Sequence, residues 1–140
     1  MTMTECCESD YKPPNKYRCP VNGKEYGSVG VKTILHHLNE PWEKELDARA
    51  YYYCTDAKCD VVYFGQDDSI ISKSELRTQV GSKQQSPDRI LCYCFGVSYA
   101  TAKHNSVVVD FVKEKTRLSL CSCETTNPSG RCCLKDFPRQ

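Results

Sequence analysis

The sequence predicts an α+β protein of two small lobes, a β-rich one over residues 19–80 followed by a helical one over residues 89–140. Three observations carry that reading. "YYYC" (51–54) and "VVYFG" (61–65) are aromatic and β-branched runs flanking a polar stretch, as the arms of a hairpin do. Residues 97–105 and 106–120 are long enough for helices, and the second sets Val109, Phe111, Val112 and Leu118 against Lys113, Lys115 and Arg117. Between the two regions "GSKQQSPD" (81–88) is polar, carries Gly and Pro and has no apolar period, which suits a connection.

Residues 1–18 are polar and include Pro13 and Pro14, so they read as an irregular arm unless Cys6 or Cys7 tethers it. "KTILHHL" (32–38) extends a strand or begins a helix, and Pro41 limits how far a helix continues. Trp42 and the Tyr51 to Tyr53 run read as core. In the second lobe the valine run 107–109 weakens the helix reading without removing it. Asn127 and Pro128 then read as an N-cap and N1 pair opening a third short helix. The chain has no internal repeat.

Eleven of the 140 residues are cysteine, and the formal net charge is +1. The first ten residues lack the basic stretch and apolar run of a secretory signal, and no apolar segment is long enough to span a bilayer. The expectation is a cytoplasmic protein with no membrane partner. In that compartment thiols stay reduced, so dense cysteine points to metal or redox chemistry and away from a disulfide framework. Interspersed charges leave no polybasic footprint for nucleic acid. No Cys-His-Asn order or paired acid supplies a nucleophile with its base, so an enzyme is not expected.

The first lobe carries ligands for one ion. "CPVNG" (19–23) looks like a zinc knuckle whose second cysteine is replaced by Asn22, and "CTDAKC" supplies Cys54 and Cys59 at zinc-ligand spacing. Structural zinc takes four ligands, and Cys19, Cys54 and Cys59 make three. Cys6 or Cys7 folding back closes the set, or His36 or His37 does, since a neutral imidazole also suits zinc. His104 reads as an ordinary surface histidine.

The second lobe carries six thiols: Cys92 and Cys94 in "LCYCFGVS", Cys121 and Cys123 in "CSCE", Cys132 and Cys133 in "GRCC". A 2Fe-2S cluster needs four thiolates, two per iron, and cysteines one residue apart in a loop both reach one iron. The order C-x-C, helical pair, C-x-C-E-x-x-N-P-S-G-R-C-C resembles the N-terminal iron–sulfur and zinc domain of CopZ-type copper chaperones, distant cousins of bacterioferritin-associated ferredoxin (BFD-like). With "YYYC....CDVVYF" upstream, the resemblance covers most of the chain beyond residue 18. It implies a 2Fe-2S cluster on Cys92, Cys94, Cys123 and Cys133, with Cys121 and Cys132 as alternates, and zinc in the first lobe. From Cys92 to Gln140 seven Lys or Arg stand against four Asp or Glu, a balance that suits an anionic cluster, with Arg131 and Lys135 placed to favour it.

The function expected first is a 2Fe-2S and zinc electron carrier in copper or metal homeostasis, working with a redox partner or a separate copper-binding protein. A thiol-based Cu(I) or Hg(II) metallochaperone is the alternative, because soft thiolates suit both ions. A zinc-only interaction module is the third. The resemblance implies that full-length chaperones add a ferredoxin-like copper domain with a C-x-x-C pair. No cysteine pair here has that spacing, which ranks the electron carrier first.

Overall fold

The computed structural model describes residues 14–44, 46 and 50–138. Five strands, β1 (Lys16–Arg18), β2 (Glu25–Val29), β3 (Tyr51–Tyr53), β4 (Val61–Gly65) and β5 (Ile70–Ser72), form an antiparallel sheet in which chain neighbours are sheet neighbours. β1 and β2 close a hairpin around the "CPVNG" turn, with Lys16 opposite Gly27 and Arg18 opposite Glu25. The arm expected over 1–18 therefore ends early, because its last residues have a partner strand just beyond the turn. Its first 13 residues, Cys6 and Cys7 among them, lie outside the described residues.

The β3–β4 hairpin sets Tyr52 against Phe64 and Tyr53 against Tyr63. Tyr51 and Tyr53 face one core with Ile34, Leu38 and Ile71, while Tyr52 joins a second with Phe64, Cys19, Cys54 and Cys59. This alternation is the period of two that a strand imposes. Between Val61 and Tyr63 the β4–β5 register slips at a bulge, and Val62 and Tyr63 both enter the first core.

"KTILHHL" resolves as helix: α1 spans Val31–His37, with Thr33, Ile34 and His37 on its buried face. Pro41 then opens a 3-10 turn, Pro41–Glu43. Trp42 stands on that turn 76% exposed, so it is not the core residue expected. The stretch 81–88 is also more than a polar connection, since it holds a 3-10 turn, Gly81–Lys83, with Lys83 buried.

Beyond it come a two-stranded sheet of β6 (Ile90–Cys92) and β7 (Val97–Ser98), then α2 (Tyr99–His104), α3 (Ser106–Arg117) and α4 (Cys123–Thr126). Ser98 caps α2, and Asn105 Oδ1 accepts from Val107 N and Val108 N at 3.1 and 3.2 Å to start α3. Val109 and Val112 bury α3's inner face, whereas Phe111 and Leu118 are 47% and 46% exposed. The apolar side expected for those two is split, because they fall about 200° and about 180° around the helix from Val109. Among the described residues no helix is long and apolar enough to cross a membrane.

Asn127 and Pro128 do not open a helix. Asn127 closes α4, its N–H donating to Cys123 O, and its Oδ1 accepts from Ser129 N (3.0 Å) and Ser129 Oγ (2.9 Å). The side chain that would cap a helix is spent on an Asx turn. Gly130 follows at φ 72°, and a Cβ there would lie 3.1 Å from Thr33 Oγ1. The turn is thus pressed against α1. Tyr63 OH donates to Pro128 O (2.6 Å), Thr33 Oγ1 to Glu124 O (2.5 Å) and Arg131 Nη2 to Ser28 O (3.0 Å), so polar bonds run along the seam between sheet and helical segment.

His37 sits in this seam, 1% exposed, with Nδ1 paired to Thr78 Oγ1 at 2.7 Å and Nε2 lacking a hydrogen-bond partner among the described residues. Burial lowers its pKa to about 4 from 6.5, although the carbonyls of Thr125 and Asn127 favour the charged form. The unfolded chain therefore takes up a proton between those values that the folded chain refuses. Stability contributed by neutral His37 is present above pH 6.5 and falls as pH drops toward 4. We expect the parent to lose about 2 kcal/mol of denaturant stability between pH 7 and pH 5, and His37→Asn to lose less than half as much. Parallel pH profiles for the two proteins would remove His37 as the cause.

Candidate metal centres

Cys19 lies in the turn between β1 and β2, Cys54 directly after β3, and Cys59 two residues before β4. Two hairpins thereby bring three buried sulfurs together, all within 4.8 Å of one another. The "CPVNG" turn is held by Cys19 N donating to Lys24 O and Gly23 N to Cys19 O, each at 2.9 Å. Asn22, where a knuckle's second cysteine would stand, points Nδ2 at Cys54 Sγ (3.4 Å) and at Tyr26 OH (3.1 Å). Lys83 Nζ approaches the same sulfur at 3.4 Å.

Burial pushes the Cys54 thiol up, but the Asp56 N–H, the Lys83 charge and the Tyr26 hydroxyl outweigh it, and the net shift is downward. Cys59 moves the other way, raised by burial and by Cys54 beside it. Within the trio the proton is thus held less tightly at Cys54 than at Cys59. This donor set fits a tetrahedral thiolate-bound ion with one position to fill. Neither histidine offered for that position joins the group. His37 is turned into the seam against Thr78, and His36 is exposed with its ring edge-on to His37 at 5.0 Å. His104 is exposed at the end of α2.

The helical segment gathers a second group. Cys92 ends β6, Cys94 lies in the turn to β7, Cys123 opens α4 and Cys133 opens the 3-10 turn Cys133–Asp136. Cys94 Sγ is 3.9 Å from Cys123 Sγ, Cys123 Sγ is 3.9 Å from Cys133 Sγ, and Cys133 donates to Cys92. Four thiols form one continuous chain. Cys92, Cys123 and Cys133 are buried and Cys94 is half-buried. Cys121 is half-buried and packs against the same cluster, while Cys132 is exposed.

The bond from Cys133, helped by the N–H groups of Phe95 and Cys94, brings the Cys92 thiol down to about 6 against the pull of burial. The same bond and burial push Cys133 far up, and burial raises Cys123 to about 11. Ser122 N donates to Cys94 Sγ at 3.0 Å, and Thr126 Oγ1 lies 3.0 Å from it. N–H donors directed at sulfur favour its anionic form, which is the ligand form.

Several of these contacts were not legible beforehand. Lys83 sits in a stretch whose composition reads as connection, and nothing local marks it as buried. Asn22 carried a signal, standing where the knuckle pattern wants a cysteine. Arg131, expected beside the second group, extends instead to the Ser28 carbonyl across the seam. Brief alkylation of the folded protein, mapped by mass spectrometry, should mark Cys132 first, Cys94 and Cys121 next, and Cys92, Cys123 and Cys133 last. Early labelling of Cys92 or Cys133 would contradict the burial described.

Residues 16–77 match the CopZ-type family described as a zinc binding domain. The copper chaperone CopZ of Archaeoglobus fulgidus is 32% identical over 121 residues, covering 83% of this chain and 57% of that protein. The chain therefore spans little more than half the length of that relative. The X-ray structure of the Archaeoglobus fulgidus CopZ N-terminal domain matches with a TM-score of 0.66 at 30% identity, over 88% of this chain and 100% of that one.

Proposed function

We propose a role in metal handling for this chain, which belongs to the family of CopZ N-terminal domains: it is a metal-binding module of a chaperone system for copper, acting in the reducing cytoplasm. The likeness to a protein named copper chaperone supports that reading better than it supports a free-standing electron carrier. Within the module Cys19, Cys54 and Cys59 are zinc ligands, their fourth partner being Cys6 or Cys7 of the arm. The buried trio and the zinc-binding family match support this assignment.

The observation that carries the rest is the continuous chain of four thiols. Cys92, Cys94, Cys123 and Cys133 are the right number and kind of ligand for a 2Fe-2S cluster, with N–H donors already directed at Cys92 and Cys94. When bound, such a cluster supplies one-electron exchange. The half-buried Cys94 gives this group its solvent-facing edge, which favours electron exchange with a redox partner or a separate copper-binding protein as the module's contribution. The protein's own residues hold the four sulfurs, aim amide hydrogens at them and screen all but that edge from water.

Metal analysis on protein purified without oxygen tests this directly. Iron, labile sulfide and zinc at about 2:2:1 are expected. Cys92→Ala should abolish visible absorption while zinc stays, and Cys54→Ala should lower zinc and solubility. Zinc alone would leave an interaction module and remove the cluster from the reading. Tight Cu(I) uptake against a strong chelator, with iron and zinc retained, would make the chain a carrier of copper in its own right.

A further inference from the structure

The three-thiol group draws on a side chain from outside the segment that matches the zinc-binding family. That segment ends at residue 77, yet Lys83 is 6% exposed and reaches back to it. Its Nζ donates to Cys54 Sγ (3.4 Å), Asp56 O (2.8 Å) and Cys59 O (3.1 Å), so all three ammonium hydrogens are engaged. A lysine is almost never buried without a paired anion. Two carbonyls do not neutralise it, and the Asp56 carboxylate is turned to Lys24 (3.7 Å) and Asn22 (3.5 Å). The Asp56 carboxylate also feels the Lys83 charge, but the ionisable group in direct contact with the ammonium is the Cys54 sulfur. A divalent ion held by these three thiolates and a fourth from Cys6 or Cys7 carries about two net negative charges, of which one lysine offsets half.

Lys83 does not act alone on that sulfur. Asn22 Nδ2 stands at 3.4 Å and also donates to the Tyr26 hydroxyl at 3.1 Å, and that hydroxyl helps to draw the Cys54 thiol down. Among the described residues, neither the Cys19 sulfur nor the Cys59 sulfur receives a hydrogen bond from a side-chain N–H donor. The base of Lys83 is also fixed in place. Gly81 N donates to Tyr93 OH (2.6 Å), and Ser82 Oγ pairs with Tyr53 OH (2.8 Å). A Cβ on Gly81 would lie 2.0 Å from the Ile90 carbonyl oxygen, so only glycine lets the turn approach this closely.

We propose that Lys83 and Asn22, with Tyr26 behind Asn22, form a donor cradle on the Cys54 sulfur, positioning residues that set how long the group keeps its metal. The proposal rests on the reading of Cys19, Cys54 and Cys59 as zinc ligands. Hydrogen bonds to a metal-bound sulfur spread its charge and make it a poorer target for protons and electrophiles. Release then starts at Cys19 or Cys59, and Cys54 lets go last.

The test uses the full chain loaded with zinc and a chromophoric chelator in excess. Lys83→Met should speed zinc transfer by about 10- to 100-fold, and Asn22→Ala and Tyr26→Phe by smaller factors. Alkylation of the zinc-loaded parent should reach Cys19 and Cys59 before Cys54, and Lys83→Met should erase that order. Circular dichroism identifies the folded variants, and if Lys83→Met is not among them the other two decide. Transfer within about twofold of the parent in every folded variant, with Cys54 no slower to alkylate than its neighbours, overturns the cradle while leaving the zinc reading intact. A parent that takes up no zinc overturns both.

Discussion

One buried hydrogen bond organises the molecule: Tyr63 OH donates to the Pro128 carbonyl at 2.6 Å. Burial raises the phenol's pKa well above its ordinary value, so it is a donor throughout the physiological range. Tyr63 lies on β4, whose start follows Cys59, and it pairs with Tyr53, which precedes Cys54. Pro128 lies in the turn between Cys123 and Cys133. Both thiol groups are therefore referenced to the same strand pair. Left unmade, this bond would strand a phenol and a carbonyl in the interior, each at a cost of about 1–3 kcal/mol. The seam has one register in which those groups are satisfied, and that register also brings Thr33 to Glu124 and Arg131 to Ser28.

The two sulfur groups are furnished differently. Cys54 faces a fixed ammonium, an amide and a phenol. The second group has backbone N–H groups and one threonine hydroxyl, while Arg131 is drawn away to the sheet. A buried ammonium favours one charge state strongly, which suits an ion that never changes valence. Neutral donors impose a weaker preference between charge states. Under the proposed assignment, the group next to Lys83 keeps a fixed ion, and the group without a lysine carries the charge that changes.

What was legible in the sequence was whatever local pattern decides. The hairpin of β3 and β4 follows from two aromatic and β-branched runs, and the "CPVNG" and "CTDAKC" spacings place their sulfurs because each sits on a tight turn. The readings that failed required knowledge of the partner. Asn127 has a side chain equally able to cap a helix or close an Asx turn, and the press of Thr33 against Gly130 selects the turn. Phe111 and Leu118 are apolar but lie away from Val109 and Val112, so composition counted them as core while helical geometry turned them outward. Lys83 is the extreme case, since a lysine among Gln, Ser and Asp reads as solvated until the thiol facing it is known.

The distribution of sulfur through the cores ties holding metal to staying folded. Among the described residues the core between α1 and the sheet, with Val29, Ile34, Tyr63 and Ile71, contains no cysteine. On the sheet's other face Cys19, Cys54 and Cys59 pack with Tyr52, Val61 and Phe64, and in the helical segment Cys92, Cys123 and Cys133 pack with Leu91, Val97, Ala102, Val109 and Val112. Thiols packed together fill space but add little cohesion of their own. A ligand that binds the folded arrangement and not the unfolded chain adds its binding free energy to these flanks by mass action. The sulfur-free core gains nothing directly from that ligand, yet it carries Tyr63 and so keeps the flanks in register. Under the proposed assignment the middle of the molecule is thus a metal-indifferent scaffold, and the flanks are packed to a degree that depends on what their cysteines hold.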